Sequence, residues 1–175
     1  MDLTGFEEFV ADRGHVLFRS AYALCGSQHD AEDLVQIALA KAAARWSRIE
    51  AAPEAYIRRI MYRDFVSAWR WRRRRPEVLA ASPPEHPERG PGDSVVDRLV
   101  LTQALVQLPP RQRAVLVLRY LEDMSEREVA ETLGCSPGTV ASQASRALAK
   151  LRTSLSDESH PTAVARSAVP TSTGR

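Results

Sequence analysis

The chain has 175 residues, 44% of them hydrophobic, which excludes wholesale disorder and fits one ordinary domain or two small ones. Its 24 Lys+Arg nearly balance 22 Asp+Glu, yet residues 51–76 carry net +6 and 98–153 net +3, against −3 for 1–50 and −4 for 77–97. Two basic blocks around an acidic one point to a polyanion met at two places, and no run approaches the roughly 18 apolar residues of a membrane span.

The elements read as helices in chain order. Thr4 and Glu7 have capping-box spacing, and Phe6, Phe9, Val10, Leu17, Ala21 and Leu24 recur at three- and four-residue intervals until Gly26. Asp30 is the expected cap of a second helix, with Leu34, Ile37, Ala38, Ala42 and Trp46 on one face. Pro53 suits the first turn of a third, which continues through Ile57, Ile60, Met61 and Phe65 to Trp69. Five of the eleven prolines fall between residues 76 and 92, so an extended linker is expected there. Asp93 or Ser94 starts a fourth helix with Val96, Leu99, Val100, Leu105 and Leu108. Pro109-Pro110 ends it and starts a fifth, from Arg111 to about Leu121. The Ser/Thr/Ala-rich tail after about Ser154 reads as disordered.

A helix-turn-helix follows the fifth helix. Ser125-Glu126-Arg127-Glu128 is a capping box, Gly134 suits a left-handed turn, and Ser136-Pro137 is a fresh cap and first-turn proline. On the next helix, Val140, Ala144, Leu148 and Leu151 face inward. Thr139, Ser142, Gln143 and Arg146 form an outward polar row, as on a helix that enters the DNA major groove.

The third helix mixes arginines with aromatics. Arg59 and Arg63 share a face with Tyr62, Val66 and Arg70, and Trp69, Trp71 and Arg72 to Arg75 follow. Aromatic rings stack unpaired bases while arginines hold phosphates, a surface suited to a locally melted duplex. On the second helix, Asp30 and Glu32 are explained by capping and the positive helix end. Asp33 and Gln36 lie three apart on one face and fit a protein partner. Cys25 and Cys135 lack a partner motif, which predicts reduced thiols in a cytoplasmic setting, and the acidic start shows no secretory signal.

In order, Asp30-Ala31-Glu32-Asp33-Leu34-Val35-Gln36, the aromatic basic helix, the proline linker, Leu108-Pro109-Pro110-Arg111-Gln112-Arg113 and the helix-turn-helix resemble bacterial RNA polymerase sigma factors of the extracytoplasmic-function group. The run Trp69 to Arg75 resembles an actinobacterial subgroup. The resemblance implies an all-α chain of two small helical domains, at 1–76 and 98–153, joined by a flexible linker at 77–97 and ending in a disordered tail at 154–175. It implies that Asp30, Asp33 and Gln36 dock on the β′ coiled coil of core RNA polymerase while the second domain sits on the β flap. Arg59, Tyr62, Arg63, Val66, Trp69, Arg70 and Arg73 would recognise and open the −10 element. Ser136, Thr139, Ser142, Gln143, Arg146 and Lys150 would read the −35 element. An anti-sigma factor is a further partner that the resemblance allows.

Two positions depart from the family pattern. Ala141-Ser142-Gln143 stands where Lys-Ser-Arg is usual, which removes two charges from the −35 side and makes Gln143 a candidate base reader. Arg63 stands where many members carry asparagine near the flipped −10 base. The alternative function is a conventional dimeric helix-turn-helix regulator of duplex DNA. The four histidines are scattered, and no metal spacing, phosphate loop or nucleophile motif occurs, so neither catalysis, metal nor cofactor is expected.

Overall fold

The computed structural model describes residues 5–49, 52–74 and 93–158, with side chains at 5–49, 52–68 and 100–155. Among the described residues there are seven α-helices and no strand: α1 Phe6–Cys25, α2 Gln28–Ala43, α3 Pro53–Arg74, α4 Asp93–Val106, α5 Pro110–Leu116, α6 Glu126–Leu133 and α7 Pro137–Glu158. A single 3-10 turn, Trp46–Arg48, follows α2, and a π-helical turn, Val117–Leu121, extends α5.

The helix ends follow from local chemistry. Gly26 ends α1 at φ 74, in the left-handed region, and its N–H reaches the Tyr22 carbonyl. A Cβ at Gly26 would lie 2.3 Å from Val106 Cγ2, so this turn is also where α4 comes closest. The first helix is preceded by Gly5, without a side-chain cap, and Thr4 lies outside the described residues. Ser27, rather than Asp30, caps α2. The serine backbone is extended and its Oγ accepts the Asp30 N–H at 3.4 Å, while Asp30 already sits in the first turn. The capping box at Ser125 forms as expected, since Ser125 Oγ accepts the Glu128 N–H and the Glu128 carboxylate accepts the Ser125 N–H.

α4 begins at Asp93, where the sequence places its start, so residues 93–97 of the stretch bounded as linker are helical; the rest of that stretch lies outside the described residues. Residues 154–158, expected as tail, continue α7. Thr153 Oγ1 and Ser154 Oγ donate to the carbonyls four residues back, at 3.2 Å each, so these hydroxyls support the helix rather than end it.

α1, α2 and α3 bury Leu17, Leu24, Leu34, Ala38, Ile57 and Met61 between them. α5 with its π-helical extension, α6 and α7 bury Val115, Leu118, Val129, Val140 and Ala147. Both halves have the expected helical make-up, but they are not held apart: their buried side chains form one continuous cluster. Each fully buried Leu, Ile or Val contributes about 1.5–3 kcal/mol, so apolar burial drives the packing and the polar contacts choose its register.

Arg113 is the main polar determinant of that register. Its guanidinium donates to the carbonyls of Leu24, at the end of α1, and of Val106 and Leu108, at and beyond the end of α4. These are acceptors that helix ends leave without partners, and a cation there also meets the negative pole of each helix. One buried side chain thus closes two helices at once. Burial lowers its pKa to about 10, which leaves it charged at neutral pH.

Candidate nucleic-acid interface

The helix-turn-helix is assembled from short-range signals. Gly134, at φ 66, ends α6 with its N–H on the Ala130 carbonyl. Ser136 then caps α7, its Oγ accepting the Thr139 N–H at 3.2 Å and lying 2.9 Å from Thr139 Oγ1. Val140, Ala144 and Ala147 are buried beneath α7, with Leu148 and Leu151 half-buried beside them. On the opposite side Ser142, Arg146 and Lys150 are exposed, and Ser142 Oγ donates to the Thr139 carbonyl at 2.9 Å. Thr139 and Gln143 are half-buried, because they turn toward α3. The expected −35 row is therefore split. Ser136, Ser142, Arg146 and Lys150 face solvent, and Thr139 and Gln143 line a cleft of about 240 Å³ shared with Arg63 and Val66.

The expected −10 row is split as well. Arg59 and Arg63 are exposed, but Arg63 Nε donates to the Thr132 carbonyl of α6 at 3.1 Å. Tyr62 and Val66 do not present the open platform expected of them: Tyr62 is 0% exposed and Val66 8%. They point into the seam where α3 meets α5 and α6. The side chains of Trp69, Arg70 and Arg73 lie outside the described residues, as does that of Trp71; their backbone continues α3.

The surroundings of Tyr62 were not legible from spacing. Glu122, just past the π-helical turn, has its side chain 3% exposed and pairs with Arg58 at 2.6 Å. Arg58 also pairs with Glu54, which in turn binds Arg13. Ser20 of α1 donates its hydroxyl to Glu122. A polar chain Arg13–Glu54–Arg58–Glu122–Ser20 thus joins α1, α3 and the α5–α6 connection. Arg58 Nε is buried beside it without a hydrogen bond of its own, and the Tyr62 hydroxyl is buried next to Ser20. Burial, then the Glu122 charge, push the Tyr62 hydroxyl well above its ordinary pKa of 10, so it stays neutral.

Asp30, Asp33 and Gln36 are all exposed on α2. Ile37, expected on the inward face, is 49% exposed beside them, because the buried stripe of α2 runs through Ala31, Leu34, Val35 and Ala38 instead. That adds an apolar residue to an otherwise acidic and polar surface. A second surface, an open apolar groove of about 660 Å³, runs between α1, α4 and the π-helical turn; Phe18, Tyr22, Leu101, Tyr120 and Leu151 line it. Among the described residues no cluster of His, Cys, Asp and Glu could hold a metal ion, and no helix is long and apolar enough to cross a membrane.

Two family models match the chain, Sigma-70 region 2 over residues 9–75 and Sigma-70, region 4 over residues 98–151. The chain is also 43% identical over 152 residues to the RNA polymerase sigma-E factor of Streptomyces coelicolor, covering 86% of this chain and 85% of that protein. The chain belongs to the sigma-70 family, in its extracytoplasmic-function group. As a sigma factor it binds core RNA polymerase and directs promoter-specific initiation of transcription, which removes the alternative of a free-standing dimeric regulator. The extracytoplasmic-function sigma factor SigE of Mycolicibacterium smegmatis is 33% identical over 171 residues, covering 92% of this chain and 65% of that protein. Among solved structures, the sigma factor RpoE of Bartonella quintana, crystallised with the anti-sigma factor NepR, superposes with a TM-score of 0.69 at 28% identity, covering 86% of this chain and 96% of that one.

Proposed function

We propose a division of labour for this sigma factor among three surfaces. Arg146 and Lys150 of α7, with Ser136, Thr139, Ser142 and Gln143, read the −35 element. Arg59, Arg63, Trp69, Arg70 and Arg73 of α3 recognise the −10 element and hold it open, with Tyr62 and Val66 packed behind that face. Asp30, Asp33 and Gln36 of α2 dock on the β′ coiled coil, and the second unit sits on the β flap. Residues 1–76 and 98–153 act as the two functional units, with 77–97 as tether and 154–175 as tail. The chain supplies recognition and no chemistry of its own, and it works in the cytoplasm. An anti-sigma factor is its further proposed partner, and the open apolar groove beside α4 offers such a partner a surface.

The observation that carries this reading is the capped α6–α7 pair with its exposed polar row, lying in the stretch that matches region 4. The test is reconstitution of the purified chain with core RNA polymerase on fragments of its own genome. Transcripts that start at a fixed distance from shared −35 and −10 sequences support it. Failure on every fragment, with an active core, rejects it.

A further inference from the structure

We infer that the cleft between α3, the start of α5 and the turn before α7 is a binding site for a small phosphate monoester, a ligand apart from promoter DNA. Two guanidinium side chains line this cleft of about 240 Å³, Arg63 of α3 and Arg111 of α5, and among the described residues that line it none is acidic. Neither arginine has a carboxylate partner among the described residues. A concave surface lined by charge of one sign focuses its field on the space it encloses. Ser67 and Thr139 add hydroxyls to the lining and Gln143 a side-chain amide. Arg63 commits its Nε–H to the Thr132 carbonyl at 3.1 Å. A Cβ at Gly134 would lie 3.6 Å from its Nη2, so the rest of the guanidinium reaches over a turn that carries no side chain. Arginine nitrogens take phosphoryl oxygens in pairs, and hydroxyl and amide groups are left for the remaining oxygen. The end of α7 is not the source of the site, because Ser136 Oγ already accepts the Thr139 N–H.

Charge, size and floor together select the ligand. A phosphate monoester carries about −1.5 to −2 at pH 7, which balances two guanidinium groups. A phosphodiester of a nucleic-acid backbone carries a single charge. Sites for drug-sized molecules hold about 300–1,000 Å³, so this smaller cleft admits a phosphoryl group and a small organic part. Val66 and Val115 are buried beneath the opening and Leu133 is half-buried beside them, which gives that organic part an apolar floor. Inorganic phosphate would engage the cations and leave the floor bare. The walls come from both halves of the molecule, so a bound ligand stabilises their joint arrangement by RT ln(1 + [L]/Kd). Occupancy thereby sets how firmly the two halves are joined.

The test titrates the full chain by isothermal calorimetry with phenyl phosphate, inorganic phosphate and the monoanionic diester methyl phenyl phosphate. Phenyl phosphate is expected to bind about tenfold more tightly than either of the others, equivalent to about 1.4 kcal/mol. Arg111→Gln changes an exposed side chain, and Gln143→Glu sets a carboxylate among the donors. Each is expected to weaken phenyl phosphate by about tenfold or more, with unchanged far-UV circular dichroism; should one variant fail to fold, the other carries the comparison. Equal binding of monoester and diester would mark the cleft as a seat for a nucleic-acid backbone and overturns the inference. Equal binding of phenyl phosphate and inorganic phosphate overturns it as well, since the floor then selects nothing. So does the lack of phenyl phosphate binding, or binding that the folded variants retain in full. None of these readouts involves promoter or polymerase, so their failure leaves the assignment of the promoter-reading residues untouched.

Discussion

Arg113→Ala offers the sharpest test of how the two halves are joined. The guanidinium serves three carbonyl oxygens, those of Leu24, Val106 and Leu108, and its carbon lies 5.6 Å from the Phe65 ring centroid. Each buried acceptor left without a donor costs about 1–3 kcal/mol, or about 6 kcal/mol for three at mid-range. The substitution also removes the cost of burying a cation. That cost is about 3 kcal/mol, since burial lowers the pKa to about 10. The difference is a destabilisation of about 3 kcal/mol, read from urea unfolding followed by circular dichroism at 222 nm. Arg113→Lys should fall between the two, because one ammonium cannot span acceptors at the ends of both α1 and α4. The folded pKa lies below the unfolded one, so the burial cost is full below pH 10 and relaxes as the pH rises through that value. The gap between the native chain and Arg113→Ala should therefore widen there. A change under about 1 kcal/mol, or equal loss from Ala and Lys, would refute the double-capping argument.

Three other outcomes are expected. Arg146→Ala should weaken holoenzyme binding to the −35 element by about 1–3 kcal/mol and relax specificity at one position if the side chain contacts a base; a phosphate contact would lower only the salt slope, measured by filter binding across potassium chloride concentrations. Asp33→Asn should reduce affinity for core polymerase in a pull-down while leaving helicity intact, because Ser27 holds the cap of α2 and Asp33 is exposed; a large drop in helicity would contradict it. Ser125→Ala should lower stability by about 1 kcal/mol. The Glu128 carboxyl is held below its usual value by its hydrogen bonds to Ser125, so the capping box contributes above pH 4.5 and fades as pH falls through the folded value; the acid limb of the melting profile should flatten in Ser125→Ala.

Local signals were legible in the sequence because the groups that decide them are adjacent. Pro53, Gly26, Ser125 with Glu128, Gly134 and Ser136-Pro137 all act where their spacing places them. Ser27 and Asp30 show the limit: both residue types cap, and only the position where the backbone turns extended separates them. Ile37 escaped because a short alanine-rich helix can rotate its buried stripe with little loss of apolar area. The failures of greater consequence are long-range. Nothing near Tyr62 in the sequence announces Glu122, sixty residues away, and nothing near Leu24 announces Arg113. Arg113 enters the sequence reading only as the end of the Leu108 to Arg113 run, and its carbonyl partners at the ends of α1 and α4 are visible only in the fold. The −35 helix was legible as a face, but not that part of that face turns toward α3.

The π-helical turn at Val117–Leu121 sets the angular phase of everything beyond it. Its wider coil ends with the Glu122 N–H on the Val117 carbonyl, and Asp123 then takes a left-handed φ of 52 before α6 begins. Each residue of an α-helix turns about 100°. Deleting one residue between Leu116 and Glu122 would thus swing the carboxylate about a quarter-turn out of reach of Arg58, and would re-aim α6 and α7 without touching a single residue of the reading rows. The length of this short stretch, more than the identity of its side chains, is what tunes the coupling between the two halves of the molecule.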